Sequence, residues 1–173
     1  MSGFQSFKSV SPQPCKPYDK SRDGLTVGEG VATLVLSCDK QFVKDDVPVM
    51  VAGSSSSNDA NHISGPSRTG DGLAFAIEDA LAEAGVSAED VDLVDMHGTA
   101  TLYNDEMESK ALALANLAEK PLLSLKGYFG HTMGASGLIE TIVCIEAIRR
   151  QMQFRTLGFE ELGVPVEVNV TKE

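Results

Sequence analysis

Two apolar runs in the first third of the chain, Val31 to Leu36 and Val47 to Gly53, are continuous and rich in β-branched residues, which predicts strands covered on both faces. From Leu73 the period changes. Leu73, Ala76, Ile77, Ala80, Leu81 and Ala84 recur at helical spacing, and Gly85 stands where a helix would stop. Val91 to His97 alternates as a strand with one polar side, a second helix is expected from about Asp105 to Ala118, and "PLLS" reads as a short strand. From Ser136 to Arg150, Leu138, Ile139, Ile142, Val143 and Ile145 leave a helix apolar nearly all round, which predicts burial. Val164 to Val170 alternates as a last strand. Strands and helices taking turns imply crossover connections, hence an α/β domain with a mixed or mostly parallel sheet covered by helices.

The connections carry their own signals. Residues 11–24, "SPQPCKPYDKSRDG", hold three prolines and alternating charge, so residues 1–24 read as a connecting segment and 25–173 as the domain. Ser54 to Gly72 gathers turn formers over a length that in a compact domain is usually functional or disordered, and the asparagine and histidine within it favour function. With 173 residues, 42% of them apolar, the chain has material for a real core. Its formal charge of −11 opposes a nucleic-acid or anionic-membrane surface. Cys15, Cys38 and Cys144 are scattered and lack CxxC spacing, which fits a reduced, cytoplasmic setting, and no signal peptide or membrane span is expected.

Chemistry in such sheets gathers at the carboxyl ends of strands. Two of the three histidines fall there, His97 in "HGTAT" and His131 in "SLKGYFGHTMGASG". A phosphate loop would need GxxxxGK[ST], but Lys126 precedes the glycines. Zinc would need three or four converging ligands, and no HExxH or Cys pair is present. A serine hydrolase would want GxSxG, of which "GASG" misses the first glycine. Two neutral histidines suit a different task, donating N–H bonds to a carbonyl oxygen as it becomes an enolate or oxyanion. Lys126 would disfavour imidazolium at His131, and Glu140 is the candidate partner for that lysine, or else a carboxylate at a helix start.

These residues carry a resemblance. "PCKPYDKSRDGLTVGEGVATLVL" resembles the Arg-Pro-Phe-Asp segment and following glycine-rich strand of β-ketoacyl-acyl carrier protein synthases; "SSNDANHISGP" resembles their Ser-Asp-Ala-Tyr-His-Met-Thr loop. "HGTAT" and "LKGYFGHTMGASGLIE" resemble their two histidine motifs, in the same order. The resemblance is to the C-terminal half and implies a thiolase-like layered fold that usually dimerises. It implies a Cys-His-His centre in which cysteine takes an acyl group from a carrier thioester and the malonyl-carrier enolate, formed by loss of CO₂, attacks it. His97 and His131 would stabilise the thioester oxygen and support decarboxylation, with Lys126 and Glu140 as the supporting ion pair. Thr99 and Thr101 would bind the pantetheine arm, His62 and Ser64 would lie beside the acyl tunnel, and Lys8 would meet the acidic carrier protein. No metal or resident cofactor is implied, since phosphopantetheine arrives on the carrier.

Departures qualify the transfer. The family's nucleophilic cysteine belongs to the N-terminal half, and none of the three cysteines here stands at a helix N-terminus beside an activating group. The final strand and the Gly-Phe-Gly-Gly turn of the family are also missing, and Leu102, Leu125 and Ser64 replace proline, threonine and threonine. The chain alone is therefore expected not to condense, and to self-associate through the apolar face its partner half would cover. Expected partners are the acyl carrier protein, the N-terminal half, and a second copy or a ketosynthase partner subunit. A noncatalytic subunit resembling chain-length factors is the alternative. Thiolase chemistry on coenzyme A is disfavoured, because the thiolases' second cysteine motif is absent.

Overall fold

The computed structural model describes residues 9–42, 48–62 and 65–173. Its elements in order are α1 (Asp71–Ala84), β1 (Val94–Asp95), α2 (Leu102–Leu114), β2 (Leu122–Leu123), α3 (Lys126–Phe129) and α4 (Ser136–Arg150), with short 3-10 turns at Lys40–Phe42, Ala88–Asp90 and Met133–Ala135. β1 and β2 pair in parallel, Val94 opposite Leu122 and Asp95 opposite Leu123. On the other side of β2 the tail runs alongside. Leu122 N–H donates to Asn169 O at 2.8 Å and Thr171 N–H to Leu122 O at 2.8 Å. α2 makes the crossover from β1 to β2, as the alternating pattern implies.

The core forms where these pieces meet, from Tyr18, Met96, Leu112, Ala115, Leu117, Leu122, Val168 and Val170, with Leu73 and Ile77 of α1 packed against it. α1 matches its period, and Gly85 closes it in the left-handed conformation at φ 68°, donating to Ala82 O. α2 begins three residues before the expected Asp105 and ends at Leu114. The expected strand from Val164 to Val170 is reduced to a bridge at Val170, with bends at 164–166.

Three expectations are corrected. Val31 to Leu36 is not a buried strand: it has no ladder partner among the described residues, and Val31 is 94% exposed. The run ending at Gly53 behaves likewise from Pro48 on, Met50 being 80% exposed, while Val47 lies outside the described residues. α4 has the expected bounds but is only partly covered; Glu140 and Ala147 are buried, whereas Ile148 is 49% exposed. An apolar, β-branched segment becomes a ladder strand only where a neighbouring strand pairs with it, and none does so here among the described residues. The proline-rich 11–24 stretch is a loop, yet Cys15, Tyr18, Asp19 and Arg22 within it are buried in the fold.

Candidate active site

The two parallel strands deliver two loops to one edge. β1 exits through Met96 into His97–Thr101, and β2 exits through Ser124 into α3, Gly130 and His131. Ser124 Oγ stitches the loops together, donating to Gly98 O at 3.1 Å. The second loop is pinned from its far side: His131 N–H donates to Thr26 O at 2.6 Å and Gly28 N–H to His131 O at 3.0 Å. The imidazoles of His97 and His131 consequently meet edge to face, centroids 4.8 Å apart and planes at 85°.

Lys126 stands behind them. Its side chain is 1% exposed, its ammonium pairs with Glu140 Oε1 on α4, and it lies 3.1 Å from His97 Nδ1. An ammonium in an ion pair donates, so His97 Nδ1 is the acceptor and the ring proton sits on Nε2. At His131 a backbone fixes the same tautomer: Met133 N–H donates to Nδ1 at 3.1 Å. Ser136 Oγ, at the start of α4, is 3.0 Å from that nitrogen and accepts Thr132 N–H at 3.0 Å. Desolvation, then the Lys126 ammonium, then His131 hold His97 down at about 4, and desolvation followed by Lys126 lowers His131. Both imidazoles are neutral donors near neutral pH.

Of the residues singled out from sequence, His97, His131, Lys126 and Glu140 converge. The Thr99 and Thr101 hydroxyls lie 2.8 Å apart on the His97 loop. His62 stands elsewhere, lining a cleft of about 530 Å³ with Arg68, Tyr103, Glu106 and Lys110. Lys8 and Ser64 lie outside the described residues. Among the described residues no group of histidine, cysteine and carboxylate side chains could hold a metal, and no helix is long and apolar enough to cross a membrane. The Cys15 thiol is buried, donates to Lys126 O at 3.1 Å, and is pushed up by desolvation. Cys144 donates to Asp95 Oδ2 at 3.5 Å and is pushed up to about 12 by burial and then by that carboxylate.

Sequence reasoning missed the carboxylates beneath the site. Asp95, on β1 two residues before His97, is raised to about 7 by burial and then by Glu140. Asp105 and Glu108 of α2 are fully enclosed under the His97 loop; Glu108 Oε2 accepts Gly98 N–H at 3.0 Å. Their three-residue spacing on one helix was the available signal, since it puts both on the face that α2 turns to the core.

Known proteins are similar to this chain along its whole length. The model for the β-ketoacyl synthase C-terminal domain matches residues 49–160, and that for the N-terminal domain matches residues 1–41. The 3-oxoacyl-[acyl-carrier-protein] synthase 2 of Vibrio cholerae is 34% identical over the whole of this chain and 46% of its own length. The chloroplastic 3-oxoacyl-[acyl-carrier-protein] synthase I of Hordeum vulgare is 33% identical over 86% of this chain and 34% of its own length. A β-ketoacyl synthase from Burkholderia phymatum superposes with a TM-score of 0.87 at 31% identity, over 99% of this chain and 44% of that one. The ishigamide ketosynthase/chain length factor superposes at 0.85 with 32% identity, over 98% of this chain and 45% of that one. The chain thus spans less than half the length of these relatives.

Proposed function

This chain belongs to the β-ketoacyl synthase family, with the α/β thiolase-like fold of that family, and from that premise we propose that it supplies the histidine half of a condensing centre. The observation that carries the reading is the pair of neutral imidazoles 4.8 Å apart, each with Nδ1 already occupied. Their two Nε2–H groups are left to donate to a single thioester oxygen. In this reading a cysteine thiolate contributed by an N-terminal-half polypeptide attacks the acyl-carrier thioester, so that the acyl group becomes a cysteine thioester and the carrier leaves as its thiolate. The malonyl thioester of an acyl carrier protein loses CO₂, and its enolate oxygen gains charge between His97 and His131. The enolate carbon then attacks the acyl carbonyl, a C–C bond forms, and the cysteine leaves as thiolate with a 3-oxoacyl thioester on the carrier. Donors fixed in place before charge develops stabilise the enolate without reorganising.

Desolvation and then the Lys126 ammonium keep both rings neutral, Lys126 also holds the His97 tautomer, and Glu140 compensates the charge of the buried ammonium. Thr99 and Thr101 share one hydrogen bond between their hydroxyls, so one hydroxyl proton remains for an amide of the pantetheine arm. The complete site has the substrates of fatty-acid or polyketide synthesis. A cytoplasmic location and a dimeric assembly belong to the same reading.

The test is complementation. The purified chain given acyl- and malonyl-carrier substrates is expected to yield no 3-oxoacyl product, and to yield it once an N-terminal-half polypeptide bearing the cysteine is added. In that complex His97→Ala or His131→Ala is expected to slow malonyl decarboxylation by about 10²–10³-fold, the usual cost of losing an oxyanion donor. Condensation by the chain alone, or full decarboxylation in both variants, would overturn the reading. A complex that assembles but never condenses would identify the chain as a structural partner of the chain-length-factor kind. The ishigamide ketosynthase/chain length factor among the similar structures keeps that second reading in view.

A further inference from the structure

A buried polar cluster lies directly behind the His97 loop and takes no part in the chemistry above. Tyr18 is fully buried and sits in the left-handed region at φ 63°. Its N–H donates to Asp105 Oδ2 at 2.8 Å, and its hydroxyl donates to Glu108 Oε2. That same oxygen accepts Gly98 N–H at 3.0 Å. Gly98 itself is left-handed at φ 46°, and a Cβ there would fall 3.1 Å from the Tyr18 ring and 2.5 Å from Ser124. One carboxylate oxygen therefore joins the tyrosine of the front loop to the residue that follows His97.

The charges around Glu108 make that hydroxyl matter. Asp105, on the same helix, is a like charge that acts on it. The Arg22 guanidinium leans on Asp105, 3.9 Å away, and donates to the carbonyls of Asp19, Gly163 and Leu102. Among the described residues no cation pairs with Glu108, so its charge rests on the Tyr18 hydroxyl, the Gly98 N–H and help from the Asn104 amide. A buried carboxylate held only by hydrogen bonds is sensitive to the loss of any one of them.

We propose that Tyr18 is a positioning residue for His97: its hydroxyl holds Glu108 in the form that accepts the Gly98 N–H and so fixes the loop that carries the imidazole. Burial, followed by Asp105, raises Glu108 to about 7, while the Tyr18 hydrogen bond acts in the opposite direction. Without the hydroxyl, Glu108 takes up a proton at a higher pH, its oxygen becomes a poorer acceptor, and the Gly98 tether weakens. The importance of this device to catalysis rests on the role given to His97 above, but its test does not.

The test uses the isotope-labelled chain and Tyr18→Phe, which keeps the ring and removes only the hydroxyl. Amide exchange at Gly98 is expected to quicken about tenfold, the effect of losing roughly one hydrogen bond. Amides in the middle of α4 are expected to be unchanged, and the Glu108 carboxyl midpoint to move up. Unchanged Gly98 exchange and an unmoved Glu108 midpoint in a folded Tyr18→Phe would overturn the proposal. Should that variant not fold, the parent chain decides: the Gly98 amide shift must follow the Glu108 carboxyl through one common midpoint, and a Gly98 signal that ignores it overturns the tether. Failure of the condensation assay with these signals intact would instead count against the role of His97.

Discussion

Methionine at position 126 keeps the length of the lysine stem and removes its charge, which isolates what the ammonium does. Glu140 would be left in the interior without its cation, and breaking a buried pair from one side typically costs about 3–5 kcal/mol. Lys126→Met is therefore expected to lose about 3 kcal/mol in urea denaturation. The same change removes the second contribution holding His97 near 4, so the imidazole midpoint followed by NMR should rise; an unmoved midpoint would mean that desolvation and His131 set it without the lysine. Asp95 gives a prediction of opposite sense. Its folded-state value of about 7 lies above the ordinary aspartate value of 3.8, so between those values the folded chain holds a proton that the unfolded chain has released. Stability contributed by this group is complete below about 4 and is lost as pH rises through about 7. Asp95→Asn should therefore melt higher than the parent at pH 8 and close to it at pH 4, and equal melting shifts at both pH values would refute this.

Among the elements, the loop after β2 depends on a glycine. Gly130 has φ 68°, and a Cβ there would lie 2.9 Å from both Gly28 N and Thr26 O, the backbone that pins His131. Gly130→Ala is expected to cost more than about 2 kcal/mol, in line with strain at a special backbone conformation, and to shift the His131 ring signals while those of α1 stay put. Helices were the most legible elements, because a 3.6-residue period and a terminal glycine are local facts; α1 and α4 fall where the pattern placed them. Strands were not. Val91 to His97 alternates over seven residues, yet only Val94–Asp95 enters a ladder, because pairing depends on a neighbour distant in sequence. The site divides in the same way: the motif residues His97, His131, Lys126 and Glu140 could be named from sequence. The contact between Tyr18 and Glu108 could not, since it spans 90 positions.

For the whole molecule, the two continuous apolar runs carry a different lesson. A continuous run signals that both faces are to be covered, but it does not say which chain covers them. Along 31–35 the residues still alternate, with Ala32 and Leu34 partly covered and Val31, Thr33 and Val35 exposed. Met50 and Val51 add to the exposed apolar surface. Exposed apolar side chains on segments that have no ladder partner among the described residues favour association with another chain. In sedimentation velocity the chain should therefore form species larger than a monomer, in a share that grows with concentration. Val35 and Met50 are so exposed, at 83% and 80%, that lysine at both should cost the fold little while opposing association by charge and by lost apolar area. Val35→Lys with Met50→Lys is expected to shift the chain toward monomer at a melting temperature within a few degrees of the parent. A parent that is monomeric at every concentration, or a double variant that associates as strongly as the parent, would show that these runs are not where the chain seeks its cover.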